Sequence, residues 1–207
     1  MGLIREITDK DKLVNRIIEL EQEMFQRVVN MGGRASCQDD RTTFYIMRYS
    51  QHSVFPEAFL RSYESDLLEA GLVNRNLISE KYAYMMETTD PIYYQEQLAP
   101  YLPKPSPQKL TLIEQMGSIM EVMYKEFAAS YPKYAHRVRP MVTSGDEVNA
   151  KVYFACELMT YSLESLKAYG AALIAAYERG ENLVKQIQQV TAGFYGYSSL
   201  EEAERNF

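Results

Sequence analysis

Apolar residues recur along this chain at three- and four-residue intervals, and no stretch sustains the two-residue alternation of a half-buried strand. An α-helix completes a turn in about 3.6 residues, so this spacing lays one apolar stripe along each helix and restricts the fold class to all-α. The stripe of Leu13, Val14, Ile17, Ile18, Met24, Phe25, Val28 and Val29 predicts a helix from Asp9 to Met31, capped by Thr8 or Asp9 and closed by Gly32 and Gly33. Phe44, Met47, Tyr49 and Gln51 mark a weaker segment. Phe55, Phe59, Leu60, Tyr63, Leu67 and Leu68 mark a stronger one that follows Ser53 and ends at Gly71. A further helix is expected from about Leu77 to Thr88, stopped by Asp90-Pro91, with Pro91 opening a short helix through Leu98.

The segment Pro100 to Pro107 holds four of the eight prolines and cannot continue a helix. It is expected to be a rigid crossover between two helical halves and not a domain boundary, because each half alone is small for a core. Leu110, Ile113, Met116, Met120, Met123 and Phe127 then form a long stripe ended by Tyr131-Pro132. Ser144 with Glu147 reads as a capping box that opens one long helix through Val148, Val152, Cys156, Met159, Leu163, Leu166, Leu173 and Ile174, with Gly170 as the place for a bend. A last helix covers about Glu181 to Thr191, followed by a turn at Phe194-Tyr195-Gly196-Tyr197 and a charged, frayed end. The expected architecture is a single domain over residues 1–207, a bundle-like array of roughly seven to nine helices.

With 207 residues, 46% hydrophobic and 24% charged, the chain can bury about 70% of its unfolded surface in one core. A net charge of -6 argues against a general nucleic-acid surface or an anionic membrane surface, both of which need clustered Lys and Arg. The most apolar stretch, Ala168 to Tyr177, is about half the length of a bilayer span and is expected to be a buried helix. Charged residues from Arg5 to Asp11 leave no room for the apolar core of a signal peptide. Two cysteines in unlike settings, Cys37 and Cys156, suggest neither a disulfide framework nor a zinc cluster, and a reducing cytoplasm is the expected location.

The run Asn30-Met31-Gly32-Gly33-Arg34-Ala35-Ser36-Cys37-Gln38-Asp39-Asp40-Arg41 is denser in polar and loop residues than core packing requires. Its glycines let backbone amides approach a ligand. Arg34, Arg41 and the following Arg48 offer guanidinium forks suited to carboxylate or phosphate. The plainer reading has the glycines ending a helix, Asp39 or Asp40 capping the next, and the arginines pairing with surface acids. Cys37, beside Gln38, becomes a nucleophile only if His52 or His136 reaches it. Glu21 and Glu157 interrupt apolar stripes and so need inward partners: arginine, lysine or tyrosine in a chain with 17 tyrosines, more rarely a metal. None of Glu21, Glu80, Glu114 and Glu157 has a histidine three residues on, which argues against a di-metal carboxylate bundle. Arg75, Asn76, Lys81 and Tyr82 sit near a helix start that favours an anion, although capping by Asn74 or Asn76 explains the same residues. Lys133, His136, Arg137 and Arg139, followed by Thr143-Ser144-Gly145-Asp146, form a second basic run.

Several segments together resemble an uncharacterised prokaryotic family of about this length, domain of unknown function 4125. They are Leu13-Val14-Asn15 through Glu21, Met24-Phe25, Gly32 through Gln38, Met47-Arg48-Tyr49-Ser50-Gln51, Ser62-Tyr63 with Asp66-Leu67, Arg75-Asn76-Leu77 with Glu80-Lys81-Tyr82, and Ser144-Gly145-Asp146. The resemblance covers nearly the whole chain. It departs at Gln22, where the family pattern often carries tryptophan, and it implies no reaction. The leading functional expectation is a cytoplasmic helical module that binds, and could act on, a small anionic ligand. Its candidate contacts are Glu21, Arg34, Cys37, Gln38, Arg41, Arg48, Gln51, Arg75, Asn76, Lys81 and Tyr82. No metal ligand is named, and catalytic residues and cofactor stay unassigned. A protein-interaction or homodimeric scaffold is the second expectation, resting on eleven methionines along helix stripes. A metal-dependent helical-bundle enzyme is the third.

Overall fold

Thr8 and Asp11 start the first helix by reciprocal capping, the Thr8 hydroxyl accepting from the Asp11 amide at 3.1 Å while the Asp11 carboxylate accepts from the Thr8 amide at 2.9 Å. The computed structural model describes residues 7–30, 32–138 and 149–207. In them the chain forms α1 (Asp9–Gln26), α2 (Arg41–Ser53), α3 (Glu57–Leu72), α4 (Leu77–Thr89), α5 (Pro91–Tyr93) running into a π-helical turn, and α6 (Pro107–Ser130). After these come α7 (Pro132–Ala135), α8 (Ala150–Thr160), α9 (Leu163–Glu178), α10 (Leu183–Phe194) and α11 (Leu200–Asn206). No strand occurs among the described residues, so the all-helical class stands. The eleven helices exceed the expected seven to nine because α5, α7 and α11 are short pieces and one expected long helix is two.

That division falls at Tyr161-Ser162. The Ser162 hydroxyl caps α9 by accepting from the Ser165 amide at 3.0 Å, and its own amide donates to Asp66 on α3 at 2.8 Å. Lys109 of α6 donates its ammonium to the Met159 carbonyl at 2.6 Å and to the Tyr161 carbonyl, satisfying the open end of α8. Gly170, the expected bend, lies inside α9, where a Cβ would meet Met116 Sδ at 3.2 Å; its role is close approach to α6. The expected capping box of Ser144 and Glu147 lies outside the described residues, as do Met31 and the basic run from Arg139 to Asp146. Asn149 caps α8. The charged C-terminus is the short helix α11, capped by Ser199 and anchored by buried Leu200 and Ala203.

α1 packs against α2, α3 and α4, α4 against α8, α3 against α9, and α6 against α8, α9 and α10. One continuous core, including Leu13, Ile17, Phe59, Leu60, Phe127, Leu166 and Leu173, joins elements from both sides of the proline segment. Full burial of each such side chain contributes about 1.5–3 kcal/mol. Tyr84 of α4 donates to the Pro103 carbonyl and ties the crossover down. The apolar stretch around Leu173 buries only one face, and among the described residues no helix is long and apolar enough to cross a membrane.

Candidate functional site

Residues one helical turn apart share a face, so Arg48, Gln51 and His52 project together from α2 toward the centre of the bundle. Glu21 meets them from the middle of the α1 stripe, Tyr63 from α3, Lys81 from α4, and Glu157 with the adjoining Tyr161 from α8. Arg48 sits between the two carboxylates. Its Nε donates to Glu21 Oε2 at 2.7 Å and its Nη2 to Glu21 Oε1, while Nη2 and Nη1 donate to Glu157 Oε1 and Oε2 at 3.0 and 3.2 Å. Nη1 also donates to Gln51 Oε1 at 2.8 Å, and the Gln51 amide nitrogen donates to Glu157 Oε1 at 3.1 Å. Tyr63 donates to Glu21 at 2.8 Å, Tyr161 to Glu157 at 3.1 Å, and Lys81 to Glu157 Oε2 at 2.9 Å.

Glu21 is fully buried, and Arg48, Lys81 and Glu157 are each over nine-tenths buried. Isolated charges at such positions would cost several kcal/mol each; the set is tolerated because two cations balance two anions and the carboxylates accept several hydrogen bonds. Burial alone would raise the Glu21 carboxyl, but the charges and hydrogen bonds of Arg48 and His52 override it and bring it down to about 2. Burial likewise opposes the Glu157 charge, yet Arg48 and Lys81 hold that carboxyl well below the usual range. For Arg48, burial disfavours the cation, while Glu157 and Glu21 keep it more firmly protonated than an ordinary guanidinium. Burial first, and the neighbouring carboxylates second, push Tyr63 and Tyr161 well up. These carboxylates and phenols therefore keep fixed protonation states at ordinary pH, which suits electrostatic holding and not proton transfer.

His52 Nε2 lies 3.2 Å from both Glu21 oxygens and 3.1 Å from Arg48 Nη2, whereas Nδ1 has no hydrogen-bond partner among the described residues. A proton on Nε2 faces the carboxylate and leaves only a bare lone pair on Nδ1, a smaller penalty than an orphaned buried N–H. Among the described residues no three His, Cys, Asp or Glu side chains meet as a metal site requires; a guanidinium stands between the two inward glutamates.

The network has one side turned toward the loop before α2. The Lys81 ammonium, with a single hydrogen bond among the described residues, lies 5.7 Å from the centre of the Tyr82 ring and 5.6 Å from that of Tyr153. Both rings are partly exposed. Burial, reinforced by Tyr153 and by Cys37, raises the Tyr82 phenol to about 12, so the loop cysteine stands close to this edge. Cys37 itself is exposed and free.

The structure thus brings Glu21, Arg48, Gln51 and Lys81 together, with Tyr82 and Cys37 at the rim. The remaining candidates are placed elsewhere. Gln38 is buried and acts on the backbone: its amide nitrogen donates to the carbonyls of Phe25 and Val28 at 2.9 and 3.0 Å, and its side-chain oxygen accepts from the Ala35 amide. This plug ends α1 at Gln26, earlier than the expected Met31, because it takes up the helix's last carbonyls. Arg34 pairs with Asp39 at 2.8 Å and donates to Gln26, at the surface. Arg75 forms a fork with Glu80 at 2.8 and 2.7 Å. Asn76 caps α4 and donates to the Met24 carbonyl at 2.8 Å. Arg41, just after the Asp40 cap of α2, lines an open groove beside α1. Sequence reasoning missed His52, Tyr63 and Tyr161 as members of the network. The only signal for His52 was its place one turn beyond Arg48 on the same helix face.

No curated protein and no solved structure matches the chain. The family described as Protein of unknown function (DUF4125) matches residues 11–205, a span that contains every member of the buried network, and the chain belongs to that family.

Proposed function

We propose that the protein is a binding module for a small anionic ligand, held at the edge of the buried ion network by Lys81. The observation that carries this reading is the lysine itself: an ammonium over nine-tenths buried, flanked by two tyrosine rings, with N–H groups left over after its one bond to Glu157. An ammonium has three donors, and a carboxylate or phosphate at the rim would accept those that Glu157 does not. Arg48 and Glu157 hold Lys81 in place, and Tyr82, Tyr153 and Gln51 wall the approach. The fixed charges argue for holding a ligand over acid–base chemistry on it. Free cysteines and an acidic composition fit a cytoplasmic setting. Thermal-shift and calorimetric titrations with inorganic phosphate, citrate and nucleotides test the reading. The wild type should be stabilised by at least one of them and Lys81→Met, which keeps most of the side-chain volume, should lose that response; no response in the wild type overturns it.

A second reading, a protein-interaction or dimeric role, draws on Val29, Leu72 and Val73, which are 93, 87 and 67% exposed. They belong to neighbouring ends of α1 and α3, since Asn76 reaches the Met24 carbonyl. A strictly monomeric mass by light scattering at high concentration would count against the dimer.

A further inference from the structure

Between α1 and the start of α2 runs an open groove of about 850 Å3, lined by Asn15, Ile18, Glu19, Gln22, Glu23, Gln26, Arg27, Arg41 and Tyr45. It lies on a different side of α1 from Glu21 and shares no residue with the network. Tyr45 donates to Asn15 at 3.1 Å and closes one end. Three features set it apart from an ordinary helix surface. Arg27 and Arg41 make no side-chain hydrogen bond or ion pair among the described residues, whereas Arg16, Arg34, Arg48, Arg61, Arg75 and Arg179 each pair with a carboxylate. Glu23 is equally without a partner among the described residues, although it stands one turn before Arg27; Glu19 has Arg16 nearby. The amide nitrogen of Gln22 is shielded from water and donates to nothing among the described residues. A buried donor without an acceptor is a standing penalty that a bound acceptor removes.

Two guanidiniums and an orphaned N–H converge on the requirement for an anion. Glu23 and Glu19 argue against a simple one, because a bare phosphate would lie within about a Debye length, roughly 8 Å, of both carboxylates. A ligand that carries its own cation satisfies both halves. Glu23 and Arg27 are four residues apart, so their backbone positions are separated by about 6 Å along the helix, the span of a short molecule with oppositely charged ends. We infer that this groove is a second binding site, independent of the network, for a small zwitterion whose phosphate or carboxylate is held by Arg41, Arg27 and the Gln22 amide and whose ammonium faces Glu23.

Phosphoethanolamine and β-alanine are the zwitterionic probes, with inorganic phosphate and ethanolamine as their single-charge controls, each titrated into the full chain at low ionic strength and followed by calorimetry and amide chemical shifts. At least one zwitterion should bind about tenfold tighter than either control and move α1 resonances around Gln22, a difference of the size one charge-assisted hydrogen bond gives. Arg41→Ala and Glu23→Gln, both exposed and outside the core, should each weaken that zwitterion by about tenfold while leaving the melting temperature unchanged. Lys81→Met should leave it untouched, which separates this site from the network edge. Equal binding of phosphate and phosphoethanolamine, an unaltered affinity in Glu23→Gln, or no binding of either zwitterion overturns the inference.

Discussion

Arg48 carries the electrostatics of the interior: it is the one side chain that bonds both inward glutamates. Replacing Glu21 with Gln keeps the shape but leaves a buried guanidinium facing a neutral amide on one side. Breaking a buried pair from one end typically costs about 3–5 kcal/mol, because the remaining charge stays desolvated. Glu21→Gln is therefore expected to lower the urea midpoint by that amount of free energy with little change in the denaturant slope. Tyr63→Phe removes one hydrogen bond to the same carboxylate, which keeps Arg48 and His52. Its cost should be smaller, about 1.5–3 kcal/mol. If the two variants prove equally mild, the charges are not buried as described. At this scale the sequence was informative in one direction only. Glu21 and Glu157 stood out because each broke an apolar stripe, and the kinds of partner they need follow from burial alone. Which lysine would come was illegible, since Lys81 lies 76 residues from Glu157 in the chain and only packing of α4 on α8 joins them.

At the scale of the helix, caps and glycines decide local stability. Asn76 does two things, accepting from the Ser79 amide as the cap of α4 and donating to the last turn of α1. Asn76→Ala should cost about 1–2 kcal/mol in urea unfolding, and Asn76→Asp, which retains the cap but not the donor, should recover part of it. Gly71 occupies the last turn of α3 with nothing near its missing Cβ, so Gly71→Ala should stabilise by roughly 0.5–1 kcal/mol. Gly180 has φ of +70° after α9, and the same change there should destabilise by about 1 kcal/mol. A matched shift in both variants would contradict the backbone assignment. Helix starts such as Thr8 and Asn76 were legible because their signals are local side chains. The end of α1 was not, because the group that terminates it is Gln38, twelve residues beyond Gln26, and the glycines nearer by looked sufficient. The break at Tyr161-Ser162 was hidden for the same reason: its supports, Lys109 and Asp66, come from distant helices.

For the whole molecule, the neutral balance of the network makes stability depend on pH in a definite direction. Glu21 falls from an ordinary 4.5 to about 2 on folding, and Glu157 is depressed as well. A depressed carboxyl stabilises the fold fully above its unfolded value and loses that contribution as pH falls through its folded value, because the unfolded chain takes up the proton first. For Glu21 this amounts to about 3 kcal/mol at neutral pH, disappearing between roughly pH 5 and pH 2. Acid unfolding should therefore occur in that window, and it should be steeper than exposed carboxylates alone would give, since surface pairs such as Lys12 with Asp9 contribute little. Glu21→Gln, already destabilised at pH 7, should show a flatter acid limb, so that its stability converges on that of the wild type as pH approaches 2. Because the proteins are compared at each pH, the convergence isolates Glu21 from every other titrating group. A constant gap between wild type and variant from pH 7 to pH 2 would mean that the cost of the substitution comes from packing. The charge on Glu21 would then have no share in holding α1, α2 and α3 together.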